Sequence, residues 1–197
     1  MASDTRDRLV RSTSRLLRTQ GYGATGLNQI MAEASAPKGS MYFHFPRGKV
    51  ELAAAAVDLY AERATAHMRR HLAEHATVRD AVVAIFDAYV DHLDRTDYVE
   101  GCAVASVALD AAAAHEELAD ATSRAFRQWV GILAEALEAE GRTPAEAHGL
   151  ATLVIAAIEG TVTMAKGMQS TEPVATARDQ LRTLLSPRVA RERTYVR

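Results

Sequence analysis

The sequence predicts an all-α protein, with a small three-helix head containing a helix-turn-helix and a larger helical bundle behind it. Three observations lead there. Apolar residues recur at helical spacing along the whole chain, and no convincing alternating strand pattern is present. Alanine abounds, which favours helix and lets helices approach closely. Breaks separate the periodic stretches at Thr77, at Asp97–Gly101, at Gly141–Pro144 and at Thr171–Pro173. A length of 197 residues suits one small domain plus a larger one, with enough chain to bury a real core.

The elements follow in order. Leu9, Leu16 and Leu17 share a face over residues 4–20, and Gly21 stops that helix. Leu27, Ile30 and Met31 mark a short helix over 26–33. Pro37 opens a second short one over 37–44, since proline suits the first helical position, and Pro46 ends it. A long helix then runs over 47–73, carrying Val50, Leu52, Val57, Leu59 and Tyr60. Amphipathic helices follow over 77–94, 102–113, 116–140, 144–168 and 172–185. The expected division is 1–48 for the head, 49–187 for the body and 188–197 for a frayed basic tail.

Composition narrows the function classes. Net charge is −2, but it is unevenly spread. Residues 1–50 hold eight basic and three acidic side chains, a balance of +5; the remainder holds 15 basic and 22 acidic, a balance of −7. A basic head on an acidic body suggests an anionic partner for the head. One cysteine excludes an internal disulfide framework and suits a reducing cytoplasm, the expected location. The N-terminal arginines precede no apolar run, so no signal peptide is expected. The longest uncharged stretch of the C-terminal half, residues 147–158, is shorter than the roughly 20 residues of a membrane span, so no membrane partner is expected.

The stretch "SAPKGSMYFHF", residues 35–45, concentrates Met41, Tyr42, Phe43 and Phe45 beside Lys38 and His44 in a chain with few aromatics. Two helices of about eight residues joined by Ala34–Ala36 have the length pattern of a helix-turn-helix. Eight helical residues span about 12 Å, and the DNA major groove is about 12 Å wide. Lys38 and Ser40 stand in the first turn, where a recognition helix meets bases and phosphates. Gly39 permits close approach of the backbone. Tyr42 and His44 lie outward and can donate to phosphate. Met41 and Phe45, four apart, should anchor the helix to Ile30 and Leu16, while Phe43 is ambiguous between packing and contact. Lys49 and Thr25 stand where each can hold a phosphate.

Residues 21–57, "GYGATGLNQIMAEASAPKGSMYFHFPRGKVELAAAAV", resemble the DNA-binding half of TetR-family transcriptional regulators. The resemblance rests on Gly21-Tyr22, Thr25, Ile30, the run Lys38-Gly39-Ser40-Met41-Tyr42-Phe43-His44-Phe45, and Lys49. Departures are Gly26 for a capping Ser or Thr, Pro37 for Ser, Met41 for Leu, and "RGK" for Ser-Lys-Glu. "TGLNQI" and "APKGS" look like the LmrA/YxaF-type branch, and "GCAVASVALDA", residues 101–111, is similar to a segment of that branch's ligand domain. The resemblance implies that Thr25, Lys38, Gly39, Ser40, Tyr42, His44 and Lys49 occupy DNA-contact positions. Lys38, Gly39, Ser40 and Phe43 would read sequence, and Thr25, Tyr42, His44 and Lys49 would hold phosphates. It implies a double-stranded DNA operator, a small-molecule effector and a homodimer as partners.

In the alanine-rich body, large side chains are few. Phe86, Tyr89, Cys102, Phe126, Trp129, Met164 and Met168 are the candidate pocket lining, since rings and thioethers suit an apolar cavity; plain core is the duller account. Glu159 interrupts an otherwise uncharged helix. It can recognise a cationic ligand, pair across an interface or face solvent, and the family's Glu-Gly at this point favours an interface with Ala156 and Gly160. The last two helices would pair with their symmetry mates as a four-helix bundle. His67, His71 and His75 fall at i, i+4 and i+8; two histidines four apart can share a metal, but a solvated face is the plainer account and no metal or cofactor is assigned. Ser106 and Cys102 have no activating context, and neither Gly-x-Ser-x-Gly nor a phosphate loop occurs, so an enzyme is not expected. Three readings stay open: a ligand-responsive repressor, a constitutive DNA-binding protein, and a helical small-molecule enzyme on the same scaffold.

Overall fold

The computed structural model describes residues 2–37 and 39–186. Lys38 and the expected tail, 188–197, lie outside the described residues. Among those described, the chain is helices and turns, with no strand. The head comprises α1 (Ala2–Ala24), α2 (Leu27–Glu33) and α3 (Ser40–His44). The long α4 (Lys49–Glu74) leads to α5 (Val78–Arg95), α6 (Ala103–Asp110), α7 (Glu116–Ala139), α8 (Pro144–Met168) and α9 (Glu172–Leu184). A 3₁₀ turn, Ala112–Ala114, separates α6 from α7, so the helix expected over 102–113 divides at Ala111.

Local chemistry sets the boundaries. Thr77 caps α5 by accepting from the Asp80 N–H at 3.1 Å. Thr143 and Glu146 form a capping box at the start of α8, with Pro144 at its first turn. Helix α3 is shorter than the helix expected over 37–44. Pro37 does not open it; the Ser40 N–H bonds the Pro37 carbonyl at 3.0 Å as a turn, and regular helix starts only at Ser40. Gly48, at φ 79, turns the chain from α3 into α4.

One apolar core runs through head and body. Leu9, Leu16, Leu17, Ile30, Met41 and Phe45 fill the head, and Leu52 and Val57 of α4 continue that core into Phe86, Leu93, Leu118 and Leu133. α4 packs on α1 and α7, α5 on α9, and α7 on α8. By length and composition α8 is apolar enough to cross a membrane. Here its inner face packs on α7 and α9, while Leu153, Met164 and Met168 face outward.

Gly21 does not end α1; it breaks it. Its φ of 78 and ψ of 176 interrupt the helix, which then resumes to Ala24. The Tyr22 N–H freed there donates to the Asp110 carboxylate at 3.0 Å, and a side chain at Gly21 would strike that carboxylate. Gly21→Ala should therefore lower unfolding free energy by about 1–3 kcal/mol in urea titrations, since this backbone region is essentially glycine-only. Gly23→Ala, where an added methyl meets open space, should stay within about 0.5 kcal/mol of the parent.

Candidate nucleic-acid interface and body hollows

The turn between α2 and α3 is closed by its backbone. The Ala34 N–H bonds Ile30 at 2.9 Å and the Ala36 N–H bonds Met31 at 3.0 Å. Ser35 takes a left-handed φ of 48 to make this possible. Arg8 of α1 donates Nε to the Ala34 carbonyl at 2.9 Å, fastening the turn to the first helix. Met41 and Phe45 are buried in the same cluster as Leu16 and Ile30. That leaves the opposite side of α3 to solvent: Tyr42 is 60% exposed and Phe43 76%. Phe43 is thus a surface residue, its ring edge-on to His44 at 4.9 Å. Gly39 is exposed and Ser40 half-buried, its hydroxyl donating to the Pro37 carbonyl at 2.6 Å.

Two expected phosphate contacts are committed inside the fold. Thr25 is buried, and its hydroxyl donates to the Gly21 carbonyl at 2.6 Å, bridging the break in α1. Lys49 donates Nζ to the Tyr22 carbonyl at 2.7 Å and stands 4.0 Å from the centre of the Tyr22 ring. Burial pulls the Lys49 ammonium below its ordinary value. Thr25 closes the break within α1, and Lys49 fastens the end of α1 to α4. The exposed set that remains is Gly39, Tyr42 and Phe43, with Ser40 and His44 at its edge.

The positive charge of the head is also partly committed. Arg8 pairs with Asp4, and Arg15 with Glu33. Arg18 reaches Glu100 of the body at 3.0 Å, and Arg47 reaches Glu117 at 2.9 Å. Arg6 lies over the Phe45 ring at 5.2 Å. Sequence charge counts see the cations but not these pairings, two of which cross to the body.

The body contains two adjoining hollows that share Arg18. One of about 250 Å³ is bounded by Tyr60, Tyr89, His67 and His92; another of about 200 Å³ by Cys102, Ser106, Glu159 and Lys166. Cys102 caps α6, its sulfur accepting from the Ala105 N–H at 3.4 Å. The thiol also interacts with the Glu159 carboxyl and the Tyr60 hydroxyl, and Tyr60 with Tyr89. Burial pushes the thiol and both phenols up, with the Glu159 charge adding to the effect. Burial likewise raises Glu159, to about 7. Beside them Glu100 Oε2 lies 3.0 Å from Arg18 and 3.2 Å from the His92 ring.

Several expected lining residues lie elsewhere. Phe86 is fully buried core. Trp129 packs between α7 and α4, its indole N–H donating to Thr65 at 3.1 Å, with Phe126 edge-on at 5.7 Å. Met164 and Met168, each 53% exposed, stand on the outer face of α8. Tyr89 and Cys102 do face the hollows. Glu159 turns inward to the thiol rather than outward with its neighbours Ala156 and Gly160, which are exposed. Tyr60, Arg18, His92, Glu100 and Lys166 carry no local sequence signal that marks them as lining.

The comparisons agree with this geometry. Residues 9–56 match the model of bacterial regulatory proteins of the tetR family, and residues 79–180 that of the LmrA/YxaF-like transcriptional regulator C-terminal domain. The chain is 32% identical over 183 residues to the uncharacterized HTH-type transcriptional regulator YxaF of Bacillus subtilis, covering 92% of this chain and 95% of that one. It is 31% identical over 175 residues to the HTH-type transcriptional regulator LmrA of the same organism, covering 87% and 91%. A TetR transcriptional regulator structure from Chloroflexus aurantiacus superposes with a TM-score of 0.78 at 29% identity, over 92% of this chain and 94% of that one. These are transcriptional regulators rather than enzymes. With a helix-turn-helix head, an all-helical body and these matches over most of its length, the chain belongs to the TetR family of DNA-binding transcriptional regulators, in the LmrA/YxaF-like branch.

Proposed function

We propose that this regulator is a ligand-responsive repressor: a homodimer that holds a palindromic operator and is released by a small molecule entering the body. The observation that carries this reading is the placement of α6. Its first end, Cys102, lines the hollow with Glu159. Its last residue, Asp110, holds the broken end of α1 through the Tyr22 N–H. Just before α6, the Gly101 N–H bonds the Arg18 carbonyl of α1 at 2.9 Å. A ligand that displaces Cys102 or Glu159 therefore moves a short helix fastened to the head at both ends. The ligand must bind the off-DNA arrangement more tightly than the DNA-bound one, or no release follows.

Tyr42, Phe43, Gly39 and Ser40, with Lys38 and His44, are the proposed operator contacts. Dimerisation is assigned to the outer faces of α8 and α9. On α8, Leu153, Ala156, Gly160 and Met164 recur at three- and four-residue spacing on one exposed face, with Met168 one turn on. Leu184 adds an exposed apolar side chain at the end of α9. Small residues at 156 and 160 allow a second helix to approach closely.

Fluorescence anisotropy with duplexes drawn from the promoter region of its own gene tests the DNA reading. Lys38→Ala should weaken binding by about 1–3 kcal/mol if it reads a base. Phe43→Ala should weaken it while leaving the urea midpoint unchanged, because an exposed ring contributes little to the fold. Unaltered binding by the Lys38→Ala, Phe43→Ala double variant would remove the stretch from Lys38 through α3 from the interface.

Screening small molecules for operator release tests the effector reading; a ligand that binds the body yet leaves operator affinity unchanged would sink it. The cavity also carries a pH signature. A carboxyl raised to about 7 holds its proton more tightly folded than unfolded. Its stabilising effect is complete below the ordinary carboxylate range, declines as pH rises, and is gone above about 7. Glu159→Gln should remove that decline, and relative to the parent it should gain up to about 3 kcal/mol at pH 8. Urea titrations at pH 5 and pH 8 measure the difference.

A further inference from the structure

His67 and His71 lie in the last two turns of α4 and His75 stands at its C-terminal cap; His67 also edges the hollow of Tyr60 and Tyr89, but operator binding explains none of the three. His67 Nε2 and His71 Nε2 face each other at 3.2 Å, with the rings nearly perpendicular at 79°. Arg70 lies 2.7 Å from His67 Nδ1. A guanidinium only donates, so His67 Nδ1 accepts and the ring's proton sits on Nε2. That proton points at His71 Nε2, which accepts, so the His71 proton sits on Nδ1. His71 Nδ1 is buried and meets no partner among the described residues. The pair is therefore a hydrogen bond between two neutral rings that leaves one buried N–H unsatisfied. Burial first, and then neighbouring positive charge, holds both imidazoles below their ordinary value, keeping the rings neutral.

We propose that His67 and His71 form a two-imidazole site for a divalent transition ion of the zinc, nickel or copper class. Zn–N bonds of about 2.0–2.1 Å at a tetrahedral angle place two nitrogens about 3.3 Å apart, close to the separation already present. Imidazole suits these ions over magnesium or calcium. Among the described residues no third ligand converges to complete a group of three, so water fills the remaining positions. His71 already holds its proton on the correct nitrogen. His67 does not: its proton must pass from Nε2 to Nδ1, where the Arg70 N–H now points, so Arg70 has to withdraw. Both rings stay neutral throughout, and no proton is released from them. Arg70 is thus a built-in competitor of the ion. His75 takes no part; its Nδ1 lies 2.9 Å from the His71 carbonyl.

Calorimetric titration of zinc chloride into tag-free, chelator-washed full-length protein, paired with thermal melts, decides the matter. One ion should bind per chain and raise the melting temperature. His67→Ala and His71→Ala should each weaken binding by at least the about tenfold that loss of an outer-shell partner costs. Arg70→Ala should tighten it several-fold, and His75→Ala should leave it unchanged. If His71→Ala fails to fold, His67→Ala at its half-buried position decides alone. Absence of binding, equal binding by the His67→Ala variant, or weaker binding by Arg70→Ala overturns the site.

Discussion

The break in α1 at Gly21 determines how head and body are joined. A continuous helix would bond the Tyr22 N–H within itself; at φ 78 and ψ 176 that N–H turns to the Asp110 carboxylate instead. The carbonyls on either side of the break are taken by side chains, Gly21 by the Thr25 hydroxyl and Tyr22 by the Lys49 ammonium. Three elements distant in sequence, α1, α4 and α6, thus meet at one residue without a side chain. Each polar group there has a partner, which is the condition for such a junction to be stable rather than merely close.

That junction also engages two of the residues expected to hold phosphates, Thr25 and Lys49, in hydrogen bonds to backbone carbonyls. Thr25 and Lys49 are polar residues in the right stretch of the chain, and nothing in their local spacing separates a phosphate contact from a backbone contact. The difference comes from the exposed carbonyls created by the break, which only the folded chain reveals. The same applies to the head's arginines. Their +5 balance is legible in the sequence. Their use as clamps on Ala34, Glu33, Glu100 and Glu117 is not, because those partners lie up to 82 positions away.

Helix positions were legible because periodicity and breakers act locally. The start of α8 follows from the Gly141–Pro144 break, and the burial of Met41 and Phe45 from their four-residue spacing. Pocket lining was much less legible. Phe86, Tyr89, Phe126 and Trp129 are alike in sequence, yet Phe86 and Trp129 are buried core, Phe126 packs on Trp129, and Tyr89 faces the hollow. Which ring faces a cavity depends on how α4, α5 and α7 are rotated against one another. Glu159 carried a clearer signal, an acid in an apolar helix, but a ligand contact, an interface pair and a solvent-facing rim all fit that signal. It faces inward, and the methionines assigned to the cavity took the outer face with Ala156 and Gly160.

On the proposed effector reading, the shortness of α6 would let it connect the hollow to the head. Its eight residues span about 12 Å, too few turns to bend appreciably, so displacement at one end reaches the other largely undiminished. Longer helices such as α4 can absorb strain by gentle curvature, and α4 is also packed against both α1 and α7. The turn preceding α6 is braced as well: Lys166 of α8 donates to the Val99 carbonyl at 2.8 Å and approaches the Arg18 carbonyl at 3.4 Å. On the proposed effector reading, a change at the hollow would either be resisted by these bonds, leaving the head in place, or shift α1 at Arg18 and Tyr22 together.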